Sequence, residues 1–285
     1  MKVSIIVNCH NGEKYLEECL ESIKKQTYKN YEVIFFDNNS YDKSKIIFKG
    51  YENEKFKYFR CDKKKNLYDA RNEALIECSG EIITFLDVDD TWHEDKLSEQ
   101  IKIFKSHIDV DLIYTDYILR DEYKKKNKKI LLKKINKDLT NNLLKNTKIA
   151  LLTVAVRKKT LEKINFRFDP DYNIIGDFDL LIKLSFNAKF YHQKLISATY
   201  RYHSSSETNK NFIKLIEELK NWKNKNLENK SVNSLKNFKN LDDKINYYNA
   251  IYAINNKDYN LLLKSLNKIK FSIYIMKIIY WKIFK

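Results

Sequence analysis

Glycine and proline are nearly missing from this chain, which has four and one of them in 285 residues. Ordinary usage is roughly 7% and 5%, so the shortage excludes collagen-like, elastic and proline-rich linker proteins. Cysteine is sparse as well. The four present (Cys9, Cys19, Cys61 and Cys78) form no C-x-x-C pair and no Cys/His cluster at zinc spacing. A disulfide framework or a zinc module is therefore not expected, and a reducing cytoplasm fits best. No apolar run approaches the roughly 18 residues of a membrane-spanning helix. A first strand is expected from Val3, which leaves no room for a signal peptide. No G-x-G-x-x-G follows that strand and no G-x-x-x-x-G-K-[ST] occurs, so a dinucleotide fold and a P-loop are both disfavoured.

What is present is 43% hydrophobic, 14% aromatic and 32% charged residues, the mixture of a globular protein with a substantial core. The net charge of +16 is uneven. Residues 209–285 hold 16 lysines, no arginine and six acids, whereas residues 1–120 are close to balanced. A second run holds Lys124, Lys125, Lys126, Lys128, Lys129, Lys133 and Lys134. A basic tail on a balanced body points to a polyanion or an anionic membrane surface; the alternative is a lysine bias on a solvated face.

The first half alternates between two periods. Val3–Cys9 is a β-branched apolar run, as in a buried parallel strand. Glu13–Gln26 has helical spacing at Leu16, Cys19, Leu20 and Ile23. Strands follow at Tyr31–Phe36, Phe56–Cys61 and Glu81–Leu86, with helices at Asp69–Cys78 and near Glu94–Ser106. Alternation of this kind specifies an α/β fold, a mostly parallel sheet with helices on both faces. Ligands of such sheets sit at the carboxyl ends of the strands. Those ends carry Cys9-His10-Asn11-Gly12, Asp37-Asn38-Asn39-Ser40, the lysines 63–65 and Asp87-Val88-Asp89-Asp90. Acidic and basic ends on one rim suit a metal ion and a phosphorylated ligand.

Three carboxylates at one strand end repel unless a cation compensates, and Mg²⁺ or Mn²⁺ with hard oxygen ligands is the natural partner. The bland alternative has Asp90 capping the next helix and the others solvated. Further on, Gly176-Asp177-Phe178-Asp179 opens a helix with carboxylates in its first turn, a place for a general base or for ordinary capping. A strand-like Phe190–Ala198 precedes Tyr200-Arg201-Tyr202-His203, read as a polar loop.

Taken in order, VSIIVNCHNGEKYLEECLESIKKQTYKNYEVIFFDNNS, LYDARNEAL, GEIITFLDVDDTWHEDKL, GDFDLLIKLS and YRYHSSS resemble the inverting nucleotide-sugar glycosyltransferases of family 2. The resemblance covers residues 2–206. It implies the A-type (GT-A) catalytic fold over 1–206, with a donor half of about 1–120 and an acceptor half of about 121–206. It also implies a role for each matching residue. Asn8, Cys9, His10, Asn11 and Glu13 would line the base and ribose, with Asn39 nearby, and Asp37 would hydrogen-bond the base. Arg71 and Asn72 would approach the diphosphate, and Asp87 and Val88 the ribose. Asp89 would hold the metal, His203 would add a metal contact, and Asp177 would be the base with Asp179 as its rival. One sugar, carried most often by uridine diphosphate, would pass to a glycan or lipid-linked glycan in capsule, lipooligosaccharide or O-antigen synthesis.

Departures from the family pattern are Gly176 where a Glu is usual, and Asn39 and Asn66 where relatives often have glycine. Asparagine, present 31 times, is the non-glycine residue that best tolerates left-handed geometry. Residues 207–285 read as a lysine-rich helical extension. Its last segment from Lys268 sets aromatic and aliphatic residues among lysines and is expected on anionic lipid at the inner face of the cytoplasmic membrane. Packing onto the protein itself or onto a second copy in a homodimer is the alternative. A nucleic-acid-binding protein is disfavoured by scarce arginine and the acidic rim, and an inactive glycosyltransferase-like protein remains a rival because of Gly176.

Overall fold

The computed structural model describes residues 1–132, 138–145, 148–203, 211–270, 274–276 and 278. The chain falls into two compact units, residues 1–136 with 148–204, and residues 137–147 with 205–285. Residues 137–147 were expected inside the acceptor half. They group instead with the C-terminal helices.

The first unit is built on strands β1 (Val3–Cys9), β2 (Tyr31–Asp37), β3 (Phe56–Arg60), β4 (Ile82–Phe85), β5 (Thr91–Trp92), β6 (Leu112–Asp121), β7 (Lys126–Ile130), β8 (Ala155–Arg157) and β9 (Phe190–Tyr202). Their order is β3-β2-β1-β4-β8-β6-β9-β5, with β7 paired to β6. β3-β2-β1-β4 is parallel, as the unbroken apolar runs demand. Beyond β4 the sheet is mixed: β8 is antiparallel to both neighbours, while β6 and β9 run parallel.

Helices α1 (Leu16–Lys24), α2 (Ser44–Lys49) and α4 (Lys96–Ser106) cover one face. Leu20, Ile23, Phe48 and Phe104 join Val3, Ile5, Val7, Val33 and Phe35 in one core, and Phe35 stacks on Phe48 at 4.1 Å. Each such side chain, fully buried, contributes about 1.5–3 kcal/mol. Helix α3 (Leu67–Ile76) packs against β1 and β2 and buries Tyr68, Ala70, Arg71 and Ala74. The chain continues through α6 (Lys158–Lys163) and α7 (Gly176–Ser185).

Two segments differ from expectation. Strand β9 does not stop at Ala198, because Tyr200, Arg201 and Tyr202 pair with Leu119, Arg120 and Asp121 of β6. Of the lysine run, Lys126, Lys128 and Lys129 lie on the exposed edge strand β7, where repeated charge resists addition of another strand, and Lys133 and Lys134 lie outside the described residues.

In the second unit, α5 (Leu139–Lys145) packs on the helices Lys236–Lys239 and Leu241–Asn255, and the Asn237 N–H donates to Asn141 Oδ1 at 2.7 Å. Trp222 of helix Phe212–Lys225 is buried against Phe238. Much of the terminal segment expected on lipid lies outside the described residues. Of the part described, Ile269 and Ile278 are buried with Ala250 and Ile251 in this unit's own core. No helix among the described residues is long and apolar enough to cross a membrane.

Candidate functional site

The rim at the ends of β1, β2 and β4 gathers most of the expected residues, all within the first unit. Its centre is Arg71. Helix α3 packs on the parallel sheet, so a side chain one turn inside its N-terminus is carried to the strand ends, and Arg71 is only 2% exposed. Its Nη2 lies 2.5 Å from Asp87 Oδ1 and its Nη1 lies 2.7 Å from Asp177 Oδ1. One guanidinium thus brings together two carboxylates 90 positions apart, each partly open to solvent. Burial opposes the charge on Arg71, and the two carboxylates more than offset it. For Asp177 burial pushes the pKa up while Arg71 pulls it down, and the net direction is upward. Arg71 was expected on the diphosphate. Its guanidinium instead fixes the base candidate against Asp87.

Asp177 opens α7, and the turn before it is held by Tyr68. The Tyr68 hydroxyl lies 3.3 Å from both the Asp177 amide nitrogen, whose N–H donates to it, and the Ile174 carbonyl oxygen. Asp179, the rival base, is 4% exposed and pairs with Lys183 at 2.6 Å, so it does not share the open position of Asp177.

Two residues beyond Asp87, Asp89 Oδ2 lies 2.9 Å from His203 Nε2. His203 sits at the end of β9 and is 7% exposed rather than in a polar loop. Asp90 caps no helix: it is buried, and its Oδ1 accepts the Arg201 N–H at 2.7 Å. Burial and the charges of Asp89 and Asp87 raise its pKa well above the usual range. The Arg201 Nε–H donates to the Asp89 carbonyl at 2.7 Å, and its guanidinium pairs with Glu18 and Glu122 over the Tyr15 ring. Sequence reading missed Arg201 and Tyr68 as site residues. The only available signal was an arginine amid tyrosines beside an expected ligand.

The Asp89–His203 pair fits a divalent ion. One carboxylate oxygen and one imidazole nitrogen make a ligand set acceptable to Mn²⁺ or Mg²⁺, with further positions for diphosphate oxygens. No cluster of three or more His, Cys, Asp or Glu side chains able to hold a metal occurs among the described residues.

The β1 and β2 loops meet beside this pair. Asn11 (φ 55°) and Asn39 (φ 58°) both adopt left-handed geometry. Asn11 Oδ1 accepts the Tyr41 N–H at 3.0 Å, Glu13 accepts the Lys43 N–H at 3.0 Å, and Asn39 Oδ1 accepts from Arg60 at 2.8 Å. His10 donates from Nδ1 to the Asn38 carbonyl at 3.0 Å. Asn8, at the end of β1, is 7% exposed, and both polar atoms of its amide are buried without a hydrogen bond. An orphaned amide costs about 1–3 kcal/mol, a penalty that a ligand group could remove.

Three expected donor contacts are turned elsewhere. Asp37 is fully buried, its oxygens taken by the Ser40 N–H at 2.7 Å and the Tyr58 hydroxyl at 2.6 Å, so it shapes the loop. Asn72 exchanges two 2.8 Å hydrogen bonds with the Phe168 backbone. The Cys9 thiol lies in the core, where burial pushes its pKa up to about 11. Val88 packs against the same core and crowds Gly12, whose absent Cβ would meet its Cγ2 at 2.9 Å.

Residues 4–164 match the sequence profile described as Glycosyl transferase family 2. The chain is 32% identical over 166 residues to the UDP-Glc:alpha-D-GlcNAc-diphosphoundecaprenol beta-1,3-glucosyltransferase WfgD of Escherichia coli, a match spanning 58% of this chain and 64% of that relative. Among solved structures it is similar to S. aureus TarS in complex with UDP, with TM-score 0.62 and 18% identity over 93% of this chain and 90% of that one. It is also similar to the mannosyltransferase PcManGT of Pyrobaculum calidifontis in complex with GDP-Man and Mn²⁺, with TM-score 0.58 and 16% identity over 78% of this chain and 64% of that one. These two likenesses establish the fold.

Proposed function

The chain belongs to glycosyl transferase family 2, and from that membership and the rim geometry we propose that it transfers one sugar, with inversion, from a uridine diphosphate sugar to a hydroxyl of a glycan or lipid-linked glycan. The observation that carries the reading is the Asp87-Val88-Asp89 turn. Through Arg71 it joins the base candidate Asp177 on one side, and on the other it forms the Asp89–His203 pair. The name of the E. coli relative specifies UDP-Glc and a diphosphoundecaprenol-linked acceptor, which supports this donor and acceptor class and a place in bacterial surface-glycan assembly. Work on such an acceptor would bring the protein to the inner face of the cytoplasmic membrane.

Asp177, oriented by Arg71 and by Tyr68, accepts the proton of the acceptor hydroxyl. That oxygen bonds to the anomeric carbon as the bond to the diphosphate oxygen breaks, and a single in-line displacement inverts the configuration. Asp89 and His203 would hold the divalent ion, which supplies charge neutralisation for the departing nucleoside diphosphate. Asn8, Asn11, Glu13 and Asn39 line the donor side. Asp87, fixed by Arg71, adds the acid nearest the ribose.

A thermal-shift series tests the binding half of this reading. Uridine diphosphate raises Tm with Mn²⁺ present and much less without it, by about 2.7 kcal/mol of stabilisation at a hundredfold excess over Kd. Asp89→Ala erases the metal dependence. A nucleotide response indifferent to metal, in the wild type, would refute the assigned ligands.

A further inference from the structure

The C-terminal unit contains a cavity of about 1110 Å³ that plays no part in the rim described above. Helices Phe212–Lys225, Leu241–Asn255 and Tyr259–Leu266 form its walls together with the turn that follows them. Six lysines and two aspartates line it, which leaves four positive charges around one concavity. Lys223 is neutralised by Asp242 at 2.5 Å. Asp243 is buried and accepts the Lys270 backbone N–H at 3.0 Å. The other five, Lys220, Lys239, Lys264, Lys268 and Lys270, have no carboxylate partner among the described residues. Lysines lining one concavity repel each other and focus a positive field that a multiply charged anion relieves.

The lining also defines what kind of anion fits. There is no arginine in residues 209–285, so an anion is met by the point charges of lysine, which serve phosphate, rather than by a planar fork. No aromatic ring lines the cavity, so nucleic-acid bases would have nothing to stack on. Between the lysines stand Asn246, Asn249 and Asn267, whose side-chain amides make no hydrogen bond within the described residues. Unengaged amides are suited to hydroxyl groups. The volume far exceeds one phosphate.

We infer that this lysine- and asparagine-lined cavity binds a phosphate-linked polyol or sugar chain, lysines on the phosphates and asparagines on the hydroxyls. Binding stands independently of the transfer activity proposed above.

The test uses the full chain and fluorescence anisotropy with a labelled glycerol-phosphate hexamer. Polyglutamate of equal charge and anionic phosphatidylglycerol vesicles are run beside it. The hexamer is expected to bind at least tenfold tighter than polyglutamate. Lys264→Gln with Lys268→Gln should weaken it about tenfold and flatten its salt dependence by roughly one charge per lysine removed. Asn246→Ala with Asn249→Ala should weaken it while leaving the salt slope unchanged. Equal binding of both polyanions, no loss in the lysine variant, binding to vesicles alone, or no binding at all would each overturn the inference. Circular dichroism and nucleotide-sugar turnover on the same preparations separate a folding defect, and a failure of the proposed activity, from a failure of this site.

Discussion

At Gly176 the space for a side chain is already filled. A Cβ there would lie 2.5 Å from the Tyr68 ring, which is itself buried and stacked on Phe168 at 5.1 Å. A glutamate at this position is therefore excluded by packing, and the Tyr68 hydroxyl holds the turn before Asp177. Gly176→Ala should cost about 1–3 kcal/mol of stability and lower kcat more than it changes KM. Adding Tyr68→Leu should restore part of both, and wild-type behaviour of the single variant would contradict the packing account. As the proposed base, Asp177 must be ionised, so activity is expected to fall as pH drops through its raised pKa. Arg71→Met removes the downward pull and should move the acid limb of kcat/KM to higher pH, while Arg71→Lys moves it less. An unmoved limb would show that Arg71 does not govern the base.

Residue types were legible in the sequence, but their directions were not. Asparagine at position 39 was read as a stand-in for glycine, and its φ of 58° agrees. The same reading fails at Asn66, which is extended (φ −61°) and caps α3 by accepting the Tyr68 N–H at 2.8 Å. None of the four glycines has positive φ; Gly80 is required because a Cβ would meet the Ser4 amide at 2.6 Å. Asp37 and Asn72 matched motif positions, yet their polar atoms face the backbone and side chains around them, a choice set by tertiary packing.

Among elements, β1 and β2 were plain from their apolar runs because both faces of a parallel strand are buried. The polar exceptions in those runs hold the sheet together. Glu32, 1% exposed at the side chain, accepts from Lys2 at 2.8 Å, Ser4 at 2.7 Å, Lys57 at 2.9 Å and the Ser79 N–H at 2.7 Å, tying β1, β2, β3 and the turn before β4. Burial raises its pKa, but these partners together hold it well below the usual carboxylate range. Its stabilising contribution is therefore complete above about pH 4.3 and is lost as pH falls through the depressed value. Glu32→Gln should lower stability by about 2–4 kcal/mol at neutral pH in denaturant unfolding, with the difference shrinking in acid. A constant difference across pH would contradict the linkage. The end of β9 was hidden for a related reason: Arg201 is buried only because Glu18 and Glu122, far away in sequence, neutralise it.

Over the whole molecule, the lysine imbalance set the C-terminal region apart in the sequence, and the compact units are residues 1–136 with 148–204 and residues 137–147 with 205–285. The return of residues 137–147 to the C-terminal unit had no local signal, since it depends on pairings such as Asn141 with Asn237. In the proposed function the Arg71-held Asp177 and the Asp89–His203 pair together carry out metal-dependent sugar transfer. The most direct measurement is uridine diphosphate release from a panel of UDP-sugars with Mn²⁺, comparing wild type with a folded Asp177→Asn variant. Release by the wild type is expected, with a fall of about 10²–10⁴-fold in the variant. Undiminished release by Asp177→Asn would contradict the proposed function.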